Sequence, residues 1–348
     1  MKVLDLFSGC GGMSLGFEQA GCDIILGIDI WKSALKTFQK NHLNSQIVCG
    51  DLSKIEPTTI ETKYLKKGVD VIIGGPPCQG FSISGKRDVN DPRNKLYQSF
   101  VSYVEYFKPQ AFVMENVPNL VSMNKGLVKD TIINEFEAIG YQVTYKILLA
   151  SDYGVPQNRK RVFFVGLLNS KSKFLFPSPT YFDNKITSRQ AISDLPEYEL
   201  ENGSSYTINY QSDYQKEIRQ NSDGIFNHQI TKHTDKTKQT IALVPDGGNY
   251  KSLPKELQET RKVNIAWTRL NSQKPSFTID TGHRHHFHYK FNRIPTVREA
   301  ARIQSFPDNF IFYGTKTDQE KQVGNAVPPM LSKILANQLK THLGKSNV

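Results

Sequence analysis

The chain has 348 residues, with 44 lysines and arginines against 33 acidic residues, a formal net charge of +11. With 38% hydrophobic, 11% aromatic and 22% charged residues it has the composition of a folded protein rather than a disordered one. No apolar run approaches the ~18 residues of a membrane span, and Asp5 with the turn Gly9–Gly12 interrupts any secretory apolar segment. A prior of roughly 150 residues per domain suggests two domains.

The first half alternates strand and helix signals. Val3–Phe7 predicts a buried strand ending in the glycine-rich turn Ser8-Gly9-Cys10-Gly11-Gly12, with a helix over Met13–Ala20. Asp23–Ile28 is a second strand ending at Asp29, and Trp31–Asn41 a second helix. Strands at Ser45–Val48 and Val69–Ile73 follow, the latter running into Gly74-Gly75-Pro76-Pro77-Cys78. A helix near Asn94–Phe107, the strand Ala111–Met114, a helix near Leu127–Ile139, and strands Gln142–Leu149 and Val162–Leu168 complete the series. Such alternation predicts an α/β fold, a doubly wound and mostly parallel sheet with helices on both faces. In such sheets ligands sit beyond the carboxyl ends of the strands. Those ends carry Phe7–Gly12, Asp29, Asp51, Pro76–Cys78 and Glu115.

After about residue 170 the rhythm stops. Pro177, Pro179, Pro196 and an acidic stretch mark a boundary, and residues 180–290 show short polar runs. Helical signals return at Thr296–Ser305 and Pro328–Leu339. The expected division is a catalytic, cofactor-binding domain of residues 1–174 and 320–348 and a small irregular domain of 175–319. Residues 228–302 hold 14 basic and 6 acidic residues with six of the eight histidines, the charge expected of a phosphate-binding face. An ordinary basic surface is the plainer alternative.

Individual groups narrow the chemistry. The turn after the first strand lacks GxGxxG, so it suits a nucleoside-like ligand without a pyrophosphate better than a dinucleotide, though a plain tight turn would look the same. Cys10, Cys22 and Cys49 read as small buried hydrophobes, with no CxxC pair, and suit a reducing cytosol. Cys78 differs, because a double proline fixes the backbone before it and a polar stretch, Ser82–Asn94, follows. It reads as a nucleophile against the commoner fate of a buried thiol. Glu115, directly after an apolar strand, is a candidate proton donor with a raised pKa, or else a helix cap. Arg159 and Arg161 alternate, which on an extended segment puts them on one face.

In this order the segments resemble the bacterial DNA (cytosine-5)-methyltransferases of restriction-modification systems. The resemblance runs through Asp5–Gly12, Pro76-Pro77-Cys78-Gln79, Glu115-Asn116-Val117, Gln157-x-Arg159-x-Arg161, Arg298–Pro307 and Gly324-Asn325-Ala326-Val327-Pro328-Pro329. It implies the Rossmann-like fold of S-adenosylmethionine-dependent methyltransferases with a smaller target-recognition domain. It makes Cys78 the nucleophile on cytosine C6, Glu115 the group at N3, and Arg161 with Arg159 the holders of the base. Cofactor contacts are implied for Phe7, Gly9, Gly11, Gly12, Asp29, Ile30, Asp51, Pro76, Leu96, Asn325 and Val327. The family usually has glutamate at the Asp29 position and often an aromatic where Ile30 stands.

DNA contacts are implied for Gln79, Ser82, Ser84 and Thr278, and Arg284 joins them from the histidine-rich cluster His283–His288, which lacks the ligand spacing of a zinc site. The partners implied are double-stranded DNA, with the target base flipped out, and a restriction endonuclease of matching specificity outside this chain. A monomer in the cytoplasm of a bacterium, or of a phage's bacterial host, is expected. A cytosine methyltransferase acting on tRNA and an inactive DNA-binding regulator are the alternatives. An amino-methylating enzyme would carry an aromatic residue in place of Cys78.

Overall fold

The computed structural model describes residues 1–65, 68–77, 95–258, 267–282 and 286–345. Two compact units emerge from its contacts, one of residues 1–149, 160–178 and 331–348, the other of 150–159 and 179–330. Residues 150–159 and 320–330, counted with the catalytic domain in the sequence-based division, cluster with the second unit.

The first unit is built on a seven-stranded sheet in the order β3-β2-β1-β4-β5-β7-β6. The strands are β1 (Lys2–Leu6), β2 (Asp23–Asp29), β3 (Gln46–Cys49), β4 (Val71–Gly74), β5 (Ala111–Asn116), β6 (Tyr141–Leu149) and β7 (Lys160–Leu168). Helices α1 (Gly12–Gln19), α2 (Lys32–Asn41), α3 (Pro57–Tyr64), α4 (Lys95–Phe107) and α5 (Leu127–Ala138) occupy the crossovers. Strands β1 to β5 pair in parallel, whereas β7 runs antiparallel to both β5 and β6. That reversal has a simple origin: only a short 3-10 turn, Ala150–Tyr153, and a few further residues separate β6 from β7, and parallel neighbours need a longer crossover.

Runs of consecutive residues in β1 (Val3–Leu6), β4 (Val71–Gly74) and β7 (Val162–Leu167) are buried, the signature of a sheet covered on both faces. On one face Leu4, Leu6, Leu26, Ile28 and Ile72 pack with Phe100 of α4 and Phe136 of α5. Phe112 stacks against Phe136 with ring centroids 4.1 Å apart, and Gly166 on the neighbouring strand leaves room for its ring. The alternating residues face the other way, where Phe38 of α2 lies against Gly27 and Ser14 of α1 bonds Asp5.

The α3 helix has no counterpart in the expected elements. Its sequence, PTTIETKY, is polar and rich in threonine, so only Pro57 at its first position announces it. Strand β5 runs two residues beyond Met114, which places Glu115 and Asn116 inside the sheet rather than after it.

The second unit has little sheet. Its helices are α6 (Ser188–Ile192), α7 (Asp213–Ile218), α8 (Asp235–Ala242), α9 (Lys255–Gln258), α10 (Val297–Ile303) and α11 (Lys316–Asn325), with the short strand pair β8 (Thr268–Arg269) and β9 (His286–Phe287). A last helix, α12 (Pro329–Lys345), returns the chain to the first unit. No helix among the described residues is long and apolar enough to cross a membrane.

Candidate active site

The turn after β1 is forced into left-handed backbone geometry. Phe7 has φ 62°, Gly9 54° and Gly11 91°, and a left-handed phenylalanine persists only where the surroundings impose it. The restraints are visible: Ser8 N–H donates to the Ile28 carbonyl at 3.0 Å and Gly11 N–H to the Ser8 carbonyl at 2.9 Å. Asp29, at the end of the adjacent β2, accepts Gly9 N–H and Trp31 N–H, both at 2.8 Å. Burial pushes the Asp29 carboxyl up against those backbone donors, which pull it down. Ile30 beside it is 69% exposed.

Two groups under the turn are kept neutral by burial. The Asp5 carboxyl is pushed up to about 8 and accepts a hydrogen bond from Ser14 Oγ at 2.5 Å. The Cys10 thiol is pushed up to about 12, which makes it inert as a nucleophile at neutral pH. Cys22 is also buried, but Cys49 is exposed at the end of the outermost strand β3, a correction to the expectation of three buried thiols. Asp51 accepts Ser53 N–H at 3.0 Å and the Ser53 hydroxyl at 2.8 Å, which hold its carboxyl below its usual range.

At the next carboxyl end, β4 passes into Gly75-Pro76-Pro77. The Asn116 side-chain amide donates to the Pro76 carbonyl at 2.8 Å and its oxygen accepts Val117 N–H at 2.9 Å. A Cβ on Gly75 would lie 3.0 Å from Glu115 Oε2, so the glycine lets this turn pass close to the carboxylate. Arg161 Nε donates to Glu115 Oε1 at 2.9 Å, and both side chains are mostly buried. The first unit therefore sets a fixed carboxylate–guanidinium pair against the two prolines that precede Cys78. Leu96, near the start of α4, is half-buried. Cys78, Gln79, Ser82, Ser84 and Arg284 lie outside the described residues.

Arg159 and Arg161 do not work as a matched pair. Arg159 belongs to the second unit, is buried, and donates from Nη2 to the Gly324 carbonyl at 2.9 Å and from Nη1 to the Ile279 carbonyl at 3.5 Å. The neighbouring Gln157 accepts Ile279 N–H at 2.9 Å and donates to Gln304 Oε1 at 2.8 Å. Together they tie the segment before β7 to residues 276–280, where Thr278 Oγ1 donates to the Asn158 carbonyl at 3.2 Å. Gly324 packs so tightly there that a Cβ would sit 2.4 Å from the Asp280 carbonyl oxygen. Asn325 is exposed and Val327 buried. Gln157 and Asn116 were visible in their motifs, but nothing in the sequence separated these backbone clamps from their neighbours.

The basic window 228–302 also needs correction. Arg269, Arg293, Arg298 and Arg302 are buried and satisfied internally, so none of these four charges can face a phosphate. His288 is likewise buried, with its pKa pushed down to about 3 by desolvation. The exposed basic groups described in this window are Lys232, Lys236, Lys238, Lys251, Lys255, Lys274 and Lys290.

The chain matches the family of C-5 cytosine-specific DNA methylases over residues 1–341. It is 39% identical to the Type II methyltransferase M.DdeI of Desulfomicrobium norvegicum, covering 100% of this chain and 90% of that one. It is 37% identical to the Type II methyltransferase M1.HphI of Haemophilus parahaemolyticus, covering 97% and 86%. A crystal structure of a prophage-encoded protein of E. coli, described as a DNA modification methyltransferase, superimposes with a TM-score of 0.80 at 28% identity over 99% of each chain. Schizosaccharomyces Dnmt2 (S. pombe) shares the fold, with a TM-score of 0.61 at 17% identity over 100% of each chain.

Proposed function

This chain belongs to the family of C-5 cytosine-specific DNA methylases, and from that premise we propose how its residues divide the work of a DNA cytosine-5 methyltransferase of restriction-modification type. The observation that carries the reading is the Glu115–Arg161 pair beside the clamped Pro76 turn. Cytosine C5 is a weak nucleophile, so a thiolate must first add to C6 and push electron density to C5. Cys78, one residue beyond a rigid double proline, is the group for that step. Glu115 supplies the hydrogen bond or proton at N3, and Arg161 holds Glu115 in place while presenting its remaining donors to the base. Arg159 acts at one remove, through the backbone it fixes.

The turn after β1 fits the donor S-adenosylmethionine. A Cβ on Gly9 would meet nothing within 4 Å, and Ser8 Oγ is buried with no hydrogen-bond partner among the described residues. Phe7 offers a ring for the adenine, Asp29 and Asp51 carboxylates for the ribose hydroxyls and adenine amino group, and Gly11, Gly12, Pro76 and Leu96 further contacts. When bound, this donor supplies a methyl group on a sulfonium. Once C5 has been methylated, loss of its proton expels Cys78 and restores the ring.

We assign residues 175–319 to target recognition, with the exposed lysines and Thr278 meeting the duplex. The chain acts as a monomer in the cytoplasm, protecting sites cut by a partner endonuclease. Bisulfite sequencing of sequence-diverse unmethylated duplex DNA, incubated with the protein and S-adenosylmethionine, tests this directly. Protected cytosines at one recurring short motif are expected, and Cys78→Ala should abolish them while leaving DNA binding intact. Glu115→Gln should lower the turnover rate by about a hundredfold or more, with binding little changed. Protection by the Cys78→Ala protein would remove Cys78 from the mechanism; no protection by wild type, with methylated tRNA instead, would move the substrate to RNA.

A further inference from the structure

Beneath the glycine turn lies a titratable side chain that the reaction does not use. His42, at the end of α2, is fully buried. Its Nδ1 lies 2.8 Å from Glu18 Oε2 and its Nε2 3.2 Å from the Gly11 carbonyl oxygen. Both neighbours are acceptors. The ring is held in place by Phe38, with centroids 4.4 Å apart, and Phe38 is itself seated on Gly27 of β2. A Cβ on Gly11 would lie 2.3 Å from His42 Nε2, so the ring also fills the space that only a glycine leaves. The Gly11 carbonyl at the same time accepts Leu15 N–H at 2.8 Å, the first bond of α1.

We propose that His42 is a positioning residue for the methyl donor: wedged between Glu18 and the Gly11 carbonyl, its ring holds that carbonyl and so fixes the left-handed turn on which the donor rests. The proposal rests on the assignment of that turn to S-adenosylmethionine. The physical basis is that a buried carbonyl left without its partner costs free energy, and that Gly11, at φ 91°, has no side chain to hold its own conformation. Glu18 is the charged group facing the ring, and its partial exposure keeps the pair's far end in water.

The test measures affinity for S-adenosylhomocysteine by calorimetry and steady-state kinetics with S-adenosylmethionine, using the full chain. His42→Phe keeps the ring's bulk without its donors and should raise the donor's KM about tenfold with kcat changed less than about twofold. His42→Gln, which keeps one donor, should recover part of that loss. Should His42→Phe fail to fold, Glu18→Gln on the surface of α1 gives the second arm and should weaken donor binding about threefold. Unchanged donor affinity in every variant overturns the role of His42 while the donor assignment stands. A wild-type protein that binds no S-adenosylhomocysteine overturns both.

Discussion

Each unit is stabilised internally in its own way, and the two ways differ. In the first, the sheet buries continuous apolar runs, and shape decides the details: Phe112 fits over Gly166 and Phe38 over Gly27. In the second, apolar groups such as Ile241, Val244, Leu253, Trp267, Phe287 and Ile294, and the packed rings of Phe306, Phe310 and Phe312, sit beside buried charges that organise much of the rest. Arg302 makes a two-pronged contact with Asp308, at 2.8 and 2.6 Å, and reaches Asp194 at 2.5 Å. Arg219 also pairs with Asp194. Arg298 donates to the carbonyls of Phe226, Pro307 and Phe310, and Arg293 pairs with Glu299 at 2.7 and 2.8 Å. An apolar core tolerates changes of the right size, whereas a buried charge network depends on every member.

The largest expected break in this contrast is Arg302→Met. It leaves the Asp308 and Asp194 carboxylates buried without their main counter-ion, and the expected loss is about 3–5 kcal/mol. Chemical denaturation would measure it; a loss below about 1 kcal/mol would mean that apolar packing holds the second unit after all.

In the first unit the matching break is steric. A Cβ on Gly166 would fall 2.0 Å from the Phe112 ring, so Gly166→Ala should cost about 1–3 kcal/mol by overpacking. A paired Gly166→Ala, Phe112→Leu variant should recover part of it. Additive losses in the double variant would show that the two positions are not complementary.

The third change sharpens the comparison, because Asp5 is a buried polar group in the apolar unit. Its folded pKa, about 8, lies above the ordinary carboxyl value of 3.8, so the folded state holds the proton more tightly than the unfolded chain. The sign follows: this group favours folding fully below pH ~4, and that contribution is lost as the pH rises toward 8. Asp5→Asn removes the titration and can still accept from Ser14. It should stabilise the protein by roughly 1–2 kcal/mol near pH 8, with the gain vanishing near pH 4. A gain independent of pH would rule out this ionisation as the cause.

The same contrast explains what could be read from the residues in advance. Strand–helix alternation marked the sheet because apolar runs and glycine turns are local signals, and the turns at Phe7–Gly12, Asp29 and Pro76 sit at strand ends where that alternation put them. The antiparallel β7 was not foreseeable from periodicity, since a strand's pattern does not encode its direction. Arginines 269, 293, 298 and 302 looked like surface charge, because a sequence does not reveal that acids and carbonyls distant along the chain will surround them. Arg159 and Arg161 looked equivalent for the same reason, although one grips the Gly324 carbonyl and the other Glu115.

The sequence by itself determined the family chemistry and the alternating sheet, because motif residues and apolar periodicity are written in short stretches of chain. Only the tertiary structure decided which polar groups meet and which are buried. His42 and Gly11 are 31 residues apart, and Arg302 and Asp194 are 108. A charge's partner, its burial and hence its protonation are set by whatever folding brings beside it, and no local pattern carries that.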